Sequence, residues 1–289
     1  MTDHPRASDS TSDSTSDSTS DSTSDSDRLR PRHLSASELS GGYDRTVVLH
    51  DVTVEIPAGS FTAIIGPNAC GKSTLLRMLA RLLKPSSGTV RLDGIDIRDY
   101  AVKRFAQQLG LLPQAPIAPE GISVAELIAR GRHPHQGVLA QWSQEDERAV
   151  DRAMRDTGVL TLAERPVAEL SGGQRQRVWI AMSLAQETPI LLLDEPTTYL
   201  DIAHQLEVLE LVARLKSAGR TIVAVLHDLN QAASYADHLI AMRDGVVVAQ
   251  GPPRELITEA TIERVFGLIS RVISDPDTGA PIVLPRAQA

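Results

Sequence analysis

The residues Gly66-Pro67-Asn68-Ala69-Cys70-Gly71-Lys72-Ser73 carry the spacing G-x-x-x-x-G-K-[ST], the pattern of a loop that cradles phosphates. Glycines let such a backbone turn tightly, so that successive N–H groups and a helix N-terminus face one anion. Lys72 is spaced to reach the β- and γ-phosphates of a nucleotide, and the Ser73 hydroxyl to ligate Mg²⁺. Farther on, the apolar run Ile190-Leu191-Leu192-Leu193 ends in Asp194-Glu195. Asp194 would hold the cation through water, and Glu195 can polarise the attacking water. Between these two segments lies a second glycine turn, Leu170-Ser171-Gly172-Gly173-Gln174. It offers a hydroxyl, two backbone amides and the positive end of a helix expected over Gln174–Ala185, which makes an anion site without a lysine.

These residues need elements to hold them. Val47–Ile56 alternates like a half-exposed strand, whereas Phe61–Ile65 is a continuous apolar run feeding the glycine loop, as a buried strand would. Lys72–Leu83 is expected to be helical, with Leu75, Leu76, Leu79 and Leu82 on one stripe. Thr89–Leu92 and Leu109–Leu112 are expected strands. From Ser123 to Glu187 the periodicity is helical, with breaks at His133-Pro134 and Arg165-Pro166, which predicts an inserted helical lobe. Alternation then resumes through Ile190–Leu193, Ile202–Leu215, Thr221–Leu226, Leu239–Met242 and Val246–Ala249. Apolar strands alternating with helices imply a mostly parallel sheet covered on both faces.

Composition bounds the reading further. The chain has 289 residues, 42% of them hydrophobic, enough for a full core. The net charge of -8 argues against a nucleic-acid binder that relies on neutralising phosphates. No run of eighteen apolar residues and no secretory leader is found. Cys70 is the only cysteine, so no internal disulfide can form, in keeping with a reducing compartment. Its place at the mouth of a helix N-terminus favours a thiolate, and alkylating it is expected to block nucleotide binding. Residues 1–32 form a Ser/Asp/Thr-rich tail, with the repeat Ser-Asp-Ser-Thr from Ser8 to Asp27, that has nothing apolar to offset the entropy of ordering. Residues 33–289 form the globular part, with the helical subdomain at about 115–187.

With these motifs in this order, the chain resembles the ATP-binding subunits of ABC transporters, and the resemblance covers essentially everything after the tail. Leu170–Gln174 matches that family's LSGGQ signature in full. The implied fold is α/β: a P-loop NTPase of the ABC ATPase type, with a mostly parallel core sheet, an N-terminal antiparallel β subdomain and the inserted helical subdomain. The implied cofactors are ATP and Mg²⁺, held by Gly66 to Ser73 together with Thr74, with Ser73, Gln114 and Asp194 toward the metal. The implied assembly is a head-to-tail homodimer, in which Ser171, Gly172, Gly173 and Gln174 of each copy contact the γ-phosphate of ATP held by the other. Tyr43 is similar to the aromatic that stacks on adenine. Gln114 matches the Q-loop glutamine that senses Mg²⁺ and the membrane subunit, Leu200-Asp201 the D-loop at the dimer seam, and His227 the switch histidine on the γ-phosphate. Glu195, His227 and Gln114 are thus the catalytic set. Simpler structural readings stand beside these: Tyr43 packing a turn, Gln114 on the surface, Asp201 capping a helix that starts at Ile202, His227 at a strand end. Ala69 replaces a glycine that many members carry; if the position needs positive φ, alanine costs on the order of 1 kcal/mol.

Within the lobe, Ala125–Gly137 (AELIARGRHPHQG) and Trp142 resemble importers of ferric siderophores and, less specifically, of haem and cobalamin. The stretches Tyr199–Gln205 and His227–Ala232 do the same, and Ala69 is similar to the siderophore branch. The resemblance implies a peripheral subunit on the cytoplasmic face of the membrane. It would power two separate membrane permease subunits, docked at the Gln114 region and the lobe, with an extracytoplasmic binding protein delivering the cargo. Such cargo does not meet this subunit, so His133 and His135 are read as surface contacts rather than metal ligands. A non-transport ABC ATPase of DNA repair would need a long coiled coil, and one of translation a duplicated cassette; neither is present. An ATP-binding sensor without hydrolysis is opposed by Glu195 and His227.

Overall fold

The computed structural model describes residues 30–44, 46–137 and 142–286; most of the Ser/Asp/Thr tail, its whole repeat included, lies outside them. Strand β1 (Leu34–Tyr43) pairs antiparallel with β2 (Thr46–Ile56) and with β4 (Ser87–Leu92), and β5 (Ile95–Asp96) completes a sheet of order β2-β1-β4-β5. The alternation seen in β2 buries Leu49, Val52, Val54 and Ile56. The second sheet has the order β10-β9-β3-β8-β7-β6, from β3 (Phe61–Ile65), β6 (Leu109–Leu112), β7 (Ile190–Asp194), β8 (Thr221–Val225), β9 (His238–Arg243) and β10 (Val246–Gly251). All its pairings are parallel except β9 with β10.

Every residue of β3, β7 and β8 is buried, because both faces are covered. Side chains alternate between two cores, as a period of two demands. Phe61, Ala63, Ile65, Leu191, Leu193, Ile222 and Ala224 face the core that the helical lobe shares. Ile64, Ile190, Leu192, Val223 and Val225 face the core built with the antiparallel sheet and helix α1 (Lys72–Leu79). The two-sided burial explains the uninterrupted apolar runs in these strands.

Helix α1 is shorter than expected. Arg81 takes a left-handed φ of 59°, its amide bonds the Met78 carbonyl, and the Leu82 amide bonds that of Arg77, a Schellman ending. Leu82 therefore leaves the apolar stripe and is 70% exposed. A short helix α2 (Val102–Ala106) precedes β6. The lobe consists of α3 (Val124–Ala129), α4 (Gln144–Asp156) and α5 (Gly172–Ala185), each opened by a capping box, from Ser123, Ser143 and Ser171 respectively. Arg132, 1% exposed, ties the lobe together by bonding Asp146 at 2.8 Å and Glu187 at 2.7 Å. His135 Nε2 lies 2.7 Å from the Gln186 carbonyl, a contact within the lobe. Helices α6 (Ile202–Ser217) and α7 (Leu229–Tyr235) follow β7 and β8. Beyond β10 come α8 (Pro253–Leu256), α9 (Glu259–Phe266) and the hairpin β11 (Ser270–Ser274) with β12 (Pro281–Pro285). Asn230 of α7 exchanges two hydrogen bonds with the Val283 backbone and so docks that hairpin.

Candidate active site

Because β3, β8, β7 and β6 run parallel as neighbours, their carboxyl ends deliver four segments to one edge of the sheet, the place where open α/β sheets bind ligands. The glycine loop leaves β3, Asp194-Glu195 ends β7, His227 follows β8 and Gln114 follows β6. They enclose a cleft of about 490 Å³ lined by Val48, Asn68, Ala69, Gly71, Lys72, Ser73, Thr74, Gln114, Glu195, Thr198, Tyr199 and His227.

The loop's backbone is unusual at the points where glycine was expected to matter. Gly66 has φ 153°, and a Cβ there would lie 2.2 Å from the Met242 carbonyl oxygen, so no side chain fits. Ala69 has φ 61°, so the condition under which alanine costs stability is met. The buried Lys72 ammonium donates to the carbonyls of Gly66 at 2.9 Å and Pro67 at 2.8 Å, which arches the loop over its own charge. One expectation needs correcting. Cys70 turns inward and is 4% exposed, and burial pushes its thiol up, against the pull of the Lys72 charge. Desolvation outweighs the helix N-terminus, so a reactive thiolate is not what this position provides.

Two carboxylates stand at the carboxyl end of β7 in different surroundings. Asp194 Oδ1 accepts from Ser73 Oγ at 2.8 Å. Burial pushes the Asp194 carboxyl up, and the neighbouring Glu195 charge adds to this, while the Ser73 bond opposes it. Glu195 stands at φ 55°, a strained setting for a side chain that aims its carboxylate into the cleft. Gln114 Nε2 donates to Oε2 at 2.6 Å, Thr198 Oγ1 donates to the same oxygen at 3.1 Å, and His227 Nε2 meets Oε1 at 2.8 Å.

The cleft thus gathers Asn68, Ala69, Gly71, Lys72, Ser73, Thr74, Gln114, Glu195 and His227, with Asp194 bonded beneath Ser73. Tyr43 is not in the lining: its hydroxyl accepts from Arg77 at 2.7 Å and its ring is 39% exposed. The second glycine turn is elsewhere too. Ser171 caps α5, its Oγ accepting from the Gln174 amide at 3.3 Å while Gln174 Oε1 accepts from the Ser171 amide at 3.1 Å. Ser171 and Gly172 are exposed on the surface, whereas Gly173 is buried. Asp201 caps α6 through the His204 amide at 2.9 Å, and that amide together with the His204 ring holds its carboxyl below the usual range. The sequence reading missed Val48, Thr198 and Tyr199. Thr198 had one signal, a hydroxyl three residues after Glu195.

A family profile described as ABC transporter matches residues 49–198. The chain is 56% identical over 253 residues to the ferric enterobactin transport ATP-binding protein of Escherichia coli, covering 87% of this chain and 93% of that one. Its fold is similar to a solved structure described as a metal-chelate type ABC transporter in an inward-facing conformation, with 28% identity and a TM-score of 0.76 over 89% of this chain and 98% of that chain. It is also similar to a dimeric bacterial ABC transporter cassette, with 28% identity and a TM-score of 0.67 over 76% of this chain and 98% of the other.

Proposed function

Because the chain belongs to the ABC transporter family, we propose that it is the ATP-binding and hydrolysing subunit of an importer of ferric siderophores, acting through separate membrane permease subunits. The likeness to the enterobactin and metal-chelate systems supports the cargo class. Among the described residues no helix is long and apolar enough to cross a membrane, in keeping with a peripheral subunit on the cytoplasmic face. An extracytoplasmic binding protein would deliver the chelate.

The observation that carries the hydrolytic role is the carboxylate of Glu195, held by Gln114, Thr198 and His227 at the lip of the phosphate-loop cleft. In this reading Glu195 takes a proton from the attacking water as general base. The loop amides, the N-terminus of α1 and Lys72 hold the triphosphate. Ser73, Asp194 and the Gln114 side-chain oxygen form an all-oxygen donor set, which suits a hard cation. A Mg²⁺ ion held by these residues would supply charge neutralisation for the phosphates. His227, which meets Glu195 in the cleft, would exchange that partner for the γ-phosphate.

The exposed Ser171 and Gly172 sit apart from the chain's own cleft, which supports the signature turn serving ATP on a second copy. The dimeric neighbour is consistent with that arrangement. The deciding experiment is steady-state ATP hydrolysis by the full chain with and without Glu195→Gln. A loss of roughly 10²- to 10⁴-fold is expected, the scale of a general base; an undiminished rate removes Glu195 from the role.

A further inference from the structure

The two glycines of the signature differ in what lies against them. A Cβ on Gly172 would meet only the Tyr199 carbonyl at 4.0 Å, whereas one on Gly173 would lie 2.7 Å from Cδ2 and 3.1 Å from Cγ of His204. The imidazole ring therefore rests on the backbone of Gly173, and a side chain there would have to displace it. The same ring's Nδ1–H donates to Asp201 Oδ1 at 2.7 Å, the oxygen that also accepts the His204 amide at 2.9 Å. Capping α6 needs only the amide bond; the ring bond is additional. Next in the chain, Gln205 Nε2 donates to the Leu200 carbonyl at 3.0 Å while its Oε1 accepts from Gln231 Nε2 at 2.7 Å. Leu200 and Asp201 are thus both bound to the first turn of α6.

We propose that His204 is a positioning residue that ties the Leu200-Asp201 loop to the signature of its own chain, so that the two move together. This rests on the reading that the signature serves ATP on a second copy. Asp201 is the exposed partner, its side chain 68% accessible against 39% for His204, so a docking copy reaches Asp201 first. An exposed pair of this kind contributes little to fold stability. Its effect is geometric: a displacement of Asp201 carries the ring, and the ring bears on Gly173 in the turn that this chain lends to the other copy. Occupancy at one site is then transmitted to the half-site this chain lends to the other. Neither His204→Ala nor its analogues remove a group that touches nucleotide.

The test is ATP hydrolysis by the full-length chain as a function of ATP concentration for wild type, His204→Ala, His204→Phe and His204→Asn, with ATP affinity measured separately at concentrations where the chain is monomeric. Phe keeps the ring on Gly173 and loses the Asp201 bond; Asn keeps a donor and loses the ring. His204→Ala is expected to lower kcat about tenfold, as small misplacements at a reaction centre do. The Hill coefficient should fall toward one and monomer affinity should stay unchanged, with Phe and Asn in between. A His204→Ala chain with unaltered kcat and cooperativity overturns the proposal, as does one whose monomer affinity falls in proportion to kcat. Should wild type itself show no turnover, the hydrolytic reading fails, and amide hydrogen exchange still decides the inference. Faster exchange at Gly172 and Gly173 in His204→Ala supports it, and unchanged exchange overturns it.

Discussion

Ser73 Oγ donates to Asp194 Oδ1 at 2.8 Å, joining the first turn of α1 to the end of β7 across the floor of the cleft. The Asp194 carboxyl is 3% exposed and pushed up by that burial. An acid whose pKa is raised in the folded state is held there at a cost once ionised, so its contribution to stability is full below its unfolded value and lost as pH rises through the folded value. Asp194→Asn removes the ionisation and keeps an acceptor for Ser73. It is expected to raise the thermal midpoint of the metal-free chain at neutral pH, with the difference from wild type shrinking as pH falls to the ordinary carboxylate range. Thermal scans across that window without added Mg²⁺ check this, and the same substitution should abolish Mg²⁺-dependent stimulation of nucleotide binding.

Ser171→Arg should abolish hydrolysis without touching nucleotide affinity of the single chain. The guanidinium would occupy the surface beside the exposed Gly172, and the cleft residues lie elsewhere. Mixing this variant with Lys72→Ala restores one intact composite site, formed by the loop of the first and the signature of the second. Recovery of turnover on mixing, measured against each variant alone, is the expected result. Full activity of Ser171→Arg by itself would remove the trans arrangement.

The parts of the site that could be read from the sequence are those in which chemistry and element coincide. The loop from Gly66 to Ser73 sits between a strand whose five residues are all buried and a helix, and a continuous apolar run marks such a strand whatever its neighbours. Asp194 is legible as the polar end of an apolar strand, whereas Gln114 and His227 enter only through the family resemblance, because a polar residue at a strand end reads equally well as surface. Val48 and Tyr199 are not legible, because they reach the cleft only through the packing of β2 and the turn after Glu195. The apolar stripe carries helix α1 on through Leu82; the left-handed Arg81 that ends it has no glycine to announce it. Strand β1 is broken by register shifts around Leu39, Gly41 and Gly42, which erase its alternation. The C-terminal hairpin depends on Asn230 bonding Val283, a contact no local pattern carries.

Cys70 should resist alkylation. Its sulfur is buried and its thiol is pushed above the ordinary range, so at neutral pH both access and thiolate fraction are low. A maleimide is expected to modify the native chain at least about tenfold more slowly than the urea-unfolded chain, a rate governed by local opening. Modification should accelerate with pH. Fast labelling of the folded chain at neutral pH would show that the helix N-terminus outweighs burial after all.

Ala69→Gly sets two opposing terms against each other. The left-handed φ of 61° at Ala69 costs a residue with a Cβ roughly 1–2 kcal/mol. Glycine removes that strain but returns conformational freedom to the unfolded chain, worth about 0.4–1 kcal/mol. The strain term is the larger, so the substitution should stabilise the chain by about 0.5–1 kcal/mol. Denaturant titration of the nucleotide-free chain would register this as a higher midpoint with an unchanged slope. Nucleotide affinity should barely move, because the loop already has the conformation that glycine prefers. A lower midpoint would mean that the Ala69 methyl group has packing in the loop that outweighs its strain.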